Sequence, residues 1–301
     1  MKTKKSGAGP LLIILAGIFW GSMGLFVRRL SAVGFTPIQT VSLRMTAAAV
    51  IFLLVLLIRE PSGFRVRWKD VPLFLGLGLM SVLFFTVCYF TAIEMMPLST
   101  AAILLYTSPI WVMLMSLIFF RERLTPVKLV SLLLAFGGCV LVSGLTGGGL
   151  SPAGLLIGLG SGIGYGLYSI LGTVALKRYS PFTVTAFTFA IAAVGSWFVC
   201  DPVNMVGTFL TGPEPLTLLL FIFLTGLVTA VIPFLFYTIG LKSVEASKAA
   251  ILATVEPMVA TLFGISVFKE PLTLSSAGGI LLILCAVVLL NLPAAPKKEK
   301  T

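Results

Sequence analysis

Histidine is absent from the 301 residues, and only 10% of the residues are charged. Without histidine the chain lacks the commonest metal ligand and the usual proton carrier near neutral pH. Ser-His-Asp and Cys-His catalytic groups are excluded for the same reason. A soluble domain carries about 25% charged residues, so this composition does not provide a surface that water can solvate. We therefore expect neither an enzyme nor a metal site.

Acidic residues are scarce as well, 10 against 21 basic ones, which gives a net charge of +11. The basic residues lie in short segments between apolar runs, without the interleaved aromatic residues of a nucleic-acid surface, so we predict no nucleic-acid partner. The four cysteines form no C-x-x-C pair and are typical of apolar packing residues. Gly147-Gly148-Gly149 lacks the lysine of a phosphate loop, so no nucleotide or other cofactor is predicted.

Apolar residues dominate instead, at 58% of the chain with a mean hydropathy of +1.12. A membrane-spanning helix needs about 20 consecutive, mostly apolar residues. Ten such runs can be drawn: residues 10–27, 38–58, 71–93, 98–120, 126–144, 152–176, 182–200, 216–241, 246–268 and 274–292. The sequence therefore predicts an all-α polytopic membrane protein with ten transmembrane helices in a lipid bilayer.

The basic residues also predict an orientation. If the N-terminus is cytoplasmic, 17 of the 21 fall in cytoplasmic segments and three on the opposite side, with Arg44 inside a span. Short cytoplasmic loops are enriched in Lys and Arg, so this bias predicts a multi-pass protein of the cytoplasmic membrane with both termini inside the cell.

The two halves of the chain repeat. A shift of 148 residues superimposes Ala101-Ala102-Ile103-Leu104 on Ala249-Ala250-Ile251-Leu252, and Phe120-Arg121-Glu122 on Phe268-Lys269-Glu270. The Gly-rich stretch 143–152 separates the halves and predicts a flexible linker. We predict a first five-helix repeat over residues 10–146 and a second over 147–292, flanked by cytoplasmic tails 1–9 and 293–301.

Five spans per half is an odd number, so the second half enters the membrane from the opposite side. Inverted repeats of this kind suit alternating access, in which the two halves exchange conformations. The repeat therefore indicates a carrier of small molecules.

Two ionisable residues lie within predicted spans, Arg44 and Glu256. A charge at mid-bilayer costs about 3 kcal/mol, so such residues usually face a protein interior or a water-filled cavity. Glu256 has three open roles: binding a substrate amine, carrying a proton, or satisfying backbone groups freed by Pro257. For Arg44 we favour a structural or interfacial role, with its side chain snorkelling to the membrane interface, and the alternative is a charge site together with Glu256. Glu122 and Glu270 are expected to pair with neighbours at helix ends.

Pro109 and Pro257 occupy matched positions in the fourth and ninth spans, where each removes a backbone donor and bends its helix. Interrupted helices in corresponding places of two repeats are the best sequence indication of a central binding site. The residues that we predict to contact a substrate are Trp20, Tyr89, Tyr106, Tyr168, Tyr237 and Glu256. Aromatic residues in membrane proteins also form core and interface belts, and that alternative stays open for this set.

The chain resembles the drug/metabolite transporter superfamily, specifically its EamA-type ten-helix members. The resemblance covers residues 11–292, and its matching segments are Phe19-Trp20-Gly21-Ser22, Pro37 with Arg44, Ser99-Thr100-Ala101-Ala102, Ser108-Pro109, Glu256-Pro257 and Gly278-Gly279, together with the two segments from Phe120 to Thr125 and from Phe268 to Thr273. It implies a 5+5 inverted-repeat carrier with a central cavity, lined mainly by spans one, three, four, six, eight and nine. Ser108 stands where the second copy has an acid, which implies an asymmetric charged site.

These observations favour a secondary transporter of small metabolites, an exporter or exchanger of amino acids or related compounds, with protons as a candidate coupling ion. The alternatives are a channel-like facilitator and a non-transporting membrane sensor. A channel needs a continuous polar lining, and the spans supply few polar residues for one. The sequence does not specify the substrate, the direction of transport or the oligomeric state.

Overall fold

A computed structural model describes residues 8–144, 151–212 and 214–292, and over these residues the chain is helical with no strand. We label the spanning helices as follows: α1 Ala8–Val33, α2 Pro37–Arg59, α3 Trp68–Met95, α4 Leu98–Phe119, α5 Pro126–Ser143, α6 Pro152–Ala175, α7 Pro181–Ser196, α8 Pro215–Leu241, α9 Ala246–Phe268 and α10 Leu274–Asn291. Within the described residues, nine of these are long and apolar enough to cross a bilayer, and α7 is a shorter apolar helix. The predicted ten-helix membrane fold is confirmed.

Short polar residues followed by proline set several helix starts. Thr36, Thr125, Ser151 and Ser180 each accept a hydrogen bond from a backbone N–H in the first turn of the next helix. Each is followed by a proline, whose missing N–H and fixed φ suit the first helical position. Thr273 caps α10 in the same way and is the repeat mate of Thr125. Local sequence therefore determines where these spans begin.

The contacts between helices follow the symmetry of the two repeats. Three helices pack against their own repeat mates, in the pairs α2–α7, α4–α9 and α5–α10. Several of the other contacts come in exchanged pairs, since α1 packs on α8 and α9 as α6 packs on α3 and α4. Every half thus covers the apolar faces of the other, and the two five-helix repeats form one bundle.

One segment differs from the sequence prediction. The seventh predicted span reached residue 200, but α7 ends at Ser196 and a turn follows. A further helix, Pro202–Thr211, lies in what we had treated as a loop, with Asp201 as its N-cap. Its Met205 packs in a separate apolar cluster with Leu30 and Phe35. A ten-residue amphipathic helix is too short for a search based on membrane-length apolar runs.

Three predicted segments fall wholly or partly outside the described residues. They are most of the N-terminal tail 1–9, the linker within 143–152 that contains the boundary between residues 146 and 147, and the tail 293–301. The repeat boundaries therefore remain predictions.

The α5–α10 pair of repeat mates makes a close backbone approach at two glycines. A Cβ atom on Gly138 would lie 2.8 Å from the Gly279 carbonyl oxygen, and one on Gly279 would lie 2.7 Å from the Gly138 carbonyl oxygen. Both distances are shorter than a carbon–oxygen contact allows, so only glycine fits at either position. Small residues bring helix backbones together in this way inside a bilayer, where van der Waals contact replaces the hydrophobic effect.

We expect Gly138→Ala to lower the melting temperature of the detergent-purified protein. Overpacking of a tight contact costs about 1–3 kcal/mol, more than the gain of under about 1 kcal/mol from a better helix former. The matched control is Gly137→Ala on the same helix, since its nearest neighbour, a Leu282 side-chain carbon, would be 3.9 Å from the new Cβ. The control should leave the melting temperature unchanged or raised, and equal effects of the two changes would contradict the close contact.

Candidate substrate cavity

Two repeat-related helices are broken at the centre of the bundle. The helix α4 is interrupted at Tyr106-Thr107 and restarts at Ser108, while α9 is interrupted at Ala253-Thr254 and restarts at Val255. Pro109 and Pro257 lie in the first turns after these breaks. Broken helices free backbone groups and create room for polar side chains in the membrane interior.

A cavity of about 370 Å³ lies beside these breaks. Its lining comes from α1, α2, α3, α4, α6, α8 and α9, and the polar and aromatic members are Trp20, Arg28, Arg44, Phe85, Thr86, Tyr89, Phe90, Tyr106, Tyr165, Phe234 and Glu256. The cavity extends from Trp20 at the centre to the exposed residues Arg28 and Leu98 at one end of the bundle. It is therefore accessible from that end.

Glu256 is the acidic residue among the cavity's lining residues. It lies in the first turn after the α9 break, and its Oε2 accepts a hydrogen bond of 2.8 Å from the Tyr165 hydroxyl of α6. Negative charge is favoured at a helix N-terminus because the free N–H groups there carry partial positive charge. Of the three roles open for Glu256, contact with a cavity ligand therefore has a geometric basis.

Arg44 also faces this cavity, and here the sequence interpretation was wrong. Its side chain does not snorkel to an interface, because Arg44 is 4% exposed and lies within the bundle. Its Nη1 lies 2.8 Å from the Met23 sulfur, a weak acceptor, and its Nε has no hydrogen-bond partner among the described residues. No acid of the described part lies within 4 Å of it. A buried guanidinium without a salt-bridge partner is costly, and Glu256 on the same cavity offsets that cost only from a distance.

The six predicted contact residues separate into two groups. Trp20, Tyr89, Tyr106 and Glu256 line the large cavity together. Tyr168 and Tyr237 instead line an adjacent space of about 20 Å³, too small for a metabolite.

The hydroxyls of Tyr168 and Tyr237 are engaged locally. Tyr168 is hydrogen-bonded to Thr238 at 2.6 Å, and Tyr237 to Ser169 at 2.7 Å. The rings of Trp20 and Phe234 line both spaces and lie between them. In this conformation Tyr168 and Tyr237 therefore support the wall of the large cavity from behind.

Sequence reasoning left Tyr165 out of the predicted contact set, although it makes the hydrogen bond to Glu256. Its ring packs 6.1 Å from Trp20 and 5.2 Å from Phe85 between ring centroids, so it also orders the aromatic wall. Tyr165 stands among glycines of α6, where the dominant pattern is small-residue packing. One sequence signal could have added Tyr165 to the contact set. It lies three residues before Tyr168, and therefore on a similar face of α6, and α6 is the repeat mate of α1, which carries Trp20.

The charged groups of the cavity have no repeat mates there. The mate of Glu256 is Ser108, which lines the small space, and the mate of Arg44 is Ala192, which is fully buried in the core. The asymmetry implied by Ser108 therefore extends to both charges. Among the described residues the repeat therefore duplicates the helical scaffold, while the charges of Arg44 and Glu256 each occur in one half only.

Ten spanning helices in two inverted halves, enclosing one charged and aromatic cavity, define a polytopic transporter for a small-molecule substrate. The sequence profile described as the EamA-like transporter family matches the chain twice, over residues 7–144 and 152–292. The chain belongs to this family and thus to the drug/metabolite transporter superfamily, which confirms the resemblance noted in the sequence.

Two relatives match this chain over most of its length, and a third matches part of it. Two proteins of Archaeoglobus fulgidus are each called an uncharacterized transporter. One is 27% identical over 92% of this chain and 96% of its own length. The other is 30% identical over 93% of this chain and 95% of its own length. A protein called the pseudopaline exporter CntI, from Pseudomonas aeruginosa, is 33% identical over 39% of each chain. A solved crystal structure shares the fold, with a TM-score of 0.76 over 94% of this chain and 96% of that one at 21% identity.

We expect Arg44→Met to raise the melting temperature of the ligand-free protein. Methionine has a similar length and removes a buried charge that has no salt-bridge partner, so the desolvation penalty of that charge, on the order of several kcal/mol, is relieved. The control is Lys128→Met, since Lys128 is also buried but pairs with Glu122 at 3.2 Å and Glu245 at 2.7 Å. That change should destabilise, because it leaves a buried carboxylate without its cation. A melting temperature lowered equally by both would show that Arg44 is already compensated.

Proposed function

We propose that this protein is a secondary transporter that moves amino acids or closely related zwitterions across the cytoplasmic membrane by alternating access, as an exporter or exchanger. The observation that carries the proposal is the presence of Arg44 and Glu256 on one cavity without a bond between them. Transport, rather than catalysis, suits a site built from one acid, the buried base Arg44 and aromatic rings, with a second base, Arg28, at the open end.

The chemistry of the two charges favours a zwitterion. The Arg44 guanidinium offers a fork of N–H donors that matches a carboxylate. The Glu256 carboxylate, held by Tyr165, offers acceptors to an ammonium group. A ligand that carries both groups neutralises both buried charges at once, whereas a singly charged ligand leaves one uncompensated.

The aromatic wall sets the character of the rest of the ligand. Trp20, Phe85, Tyr89 and Tyr106 present ring faces and edges to the cavity. Such rings favour apolar side chains and also attract cations to their faces. Pockets for small molecules usually span roughly 300–1,000 Å³, so a cavity of about 370 Å³ suits a single small metabolite.

The basic-residue bias supports an orientation with both termini in the cytoplasm, and the two matches of the family profile support repeats close to 10–146 and 147–292. In that orientation the open end of the cavity, at Arg28 and Leu98, faces the cell exterior. Export is supported by the name of one partial relative, the pseudopaline exporter.

The first test is a melting-temperature screen of the purified protein with L-leucine, L-phenylalanine and L-lysine, each compared with its N-acetyl derivative and its methyl ester. A ligand at 100 times its dissociation constant adds about 2.7 kcal/mol to stability. We expect the zwitterions to raise the melting temperature and both derivatives to fail, because each derivative removes one charge. Binding of the derivatives as tightly as the parent amino acids would overturn the zwitterion proposal.

Variants assign each charge to its residue. Glu256→Gln should reduce the preference for the free amine over the N-acetyl form, and Arg44→Met should reduce the preference for the free acid over the ester. Each variant should leave the other preference intact, which a general loss of folding would not do. Flux into proteoliposomes should saturate with substrate concentration, whereas linear flux would favour the channel-like facilitator.

Proton coupling is tested at the same carboxylate. If Glu256 carries the coupled proton, Glu256→Gln removes the dependence of flux on an imposed pH gradient while exchange between two substrate pools continues. The control is Tyr165→Phe, which removes the hydrogen bond but keeps the carboxylate and should retain the gradient dependence. Gradient-driven flux that persists in Glu256→Gln would remove this carboxylate from the coupling mechanism.

A further inference from the structure

The ends of α4 and α9 share one backbone motif. Arg121 and Lys269, which follow these helices, have positive φ angles of 52° and 58°. The next residues, Glu122 and Glu270, donate their backbone N–H to carbonyls six positions earlier, those of Ser116 at 3.2 Å and Gly264 at 3.1 Å. The two positive-φ residues, the two glutamates and the two acceptor residues are each separated by 148 residues, so they are repeat mates. The chain therefore adopts a strained backbone conformation at both helix ends, and in each repeat this conformation places a glutamate at the same position.

The two glutamates make different bonds. The Glu122 carboxylate accepts from the Ala246 backbone N–H at 3.1 Å and from the Ser247 hydroxyl, both in the first turn of α9. It also pairs with Lys128, and its side chain is only 10% exposed. Glu122 thus bonds a helix of the other repeat and closes the end of the bundle opposite to the cavity mouth.

Glu270, in contrast to Glu122, is paired with an exposed side chain and not with the start of a helix. It pairs with Arg28 of α1 at 2.7 Å, and its side chain is 48% exposed. The repeat mates of Ala246 and Ser247 are Leu98 and Ser99 at the start of α4. Leu98 lines the open cavity and is 60% exposed, whereas Ala246 is 1% exposed. The same motif is therefore engaged at the closed end and disengaged at the open end.

We propose that Glu122 and Glu270 are alternating latches that hold one end of the transporter closed at a time. The inference rests on the alternating-access carrier proposed above. In the opposite state Glu270 accepts from the Leu98 N–H and the Ser99 hydroxyl and closes the Arg28 end. Glu122 then leaves α9 and opens the other end.

A cation contact at each latch supports the exchange. The Arg28 guanidinium lies 3.8 Å from the centre of the Phe268 ring, at the disengaged latch, and Lys177 lies 5.5 Å from the Phe120 ring, at the engaged one. Phe120 and Phe268 are repeat mates, and Lys177 follows the mate of Arg28 by one residue. Lys177 is therefore the cation positioned to receive Glu122 after its release, as Arg28 now holds Glu270.

The test measures the two ends separately with a thiol-reactive maleimide. Leu98→Cys and Ala246→Cys are introduced one at a time into the full-length protein in proteoliposomes, and labelling of the introduced thiol is read by mass spectrometry, so the native cysteines remain. The wild-type background should label Leu98→Cys faster. Glu122→Gln should raise the rate at Ala246→Cys relative to Leu98→Cys by at least about tenfold, the effect of losing one charge-assisted hydrogen bond.

Glu270→Gln is the matched control with the opposite sign. It removes the latch of the other state, so labelling at Ala246→Cys should fall, and the double variant should return towards the wild-type ratio. Ser247→Ala removes one latch donor and should act like Glu122→Gln, to a smaller extent, even if the latter fails to fold.

An unchanged labelling ratio in folded Glu122→Gln or in Ser247→Ala would overturn the latch, as would faster Ala246→Cys labelling in both glutamate variants. The measurement needs no substrate. A labelling shift without amino-acid binding would therefore retain the latch and reject the substrate class, whereas amino-acid flux without a labelling shift would reject the latch alone.

Discussion

The cost of an uncompensated charge in the membrane interior is the constraint on which the rest of this structure depends. Arg44 and Glu256 lie among apolar helices, and each must face protein or a ligand instead of lipid. The breaks in α4 and α9 provide the space, and the α9 N-terminus and the Tyr165 hydroxyl stabilise the carboxylate. Among the described residues the guanidinium Nε has no hydrogen-bond partner. In the proposed function, a bound anionic group would relieve this unfavourable interaction.

The inverted repeat is the feature on which the proposed alternating access rests. Each half packs mainly against the other, so the two halves can exchange roles without exposing a new apolar face. Close glycine contacts, such as that between Gly138 and Gly279, hold α5 against its repeat mate α10. The proposed ligand contacts and latches break the symmetry, because Arg44 and Glu256 have no charged repeat mates in the cavity and Glu122 and Glu270 differ in their present partners.

The fold was largely predictable because its signals are local or additive. Runs of about 20 apolar residues, the position of basic residues and the 148-residue repeat each depend only on the chain itself. The helix after residue 200 was missed because an amphipathic ten-residue segment gives no membrane-length run. Four of the six predicted contact residues line one cavity, since matched prolines and span-embedded charges indicate the centre of a repeat protein.

The sequence by itself determined the class of protein, the number of spans and the existence of two matched halves, because apolar runs in lipid have few alternatives to a helix. Only the tertiary structure decided which side chains share a cavity. It turned Arg44 inward, joined Tyr165 to Glu256, and placed Tyr168 and Tyr237 behind the Trp20 wall. These outcomes depend on helix rotation and crossing, which are set by packing between residues far apart in the chain.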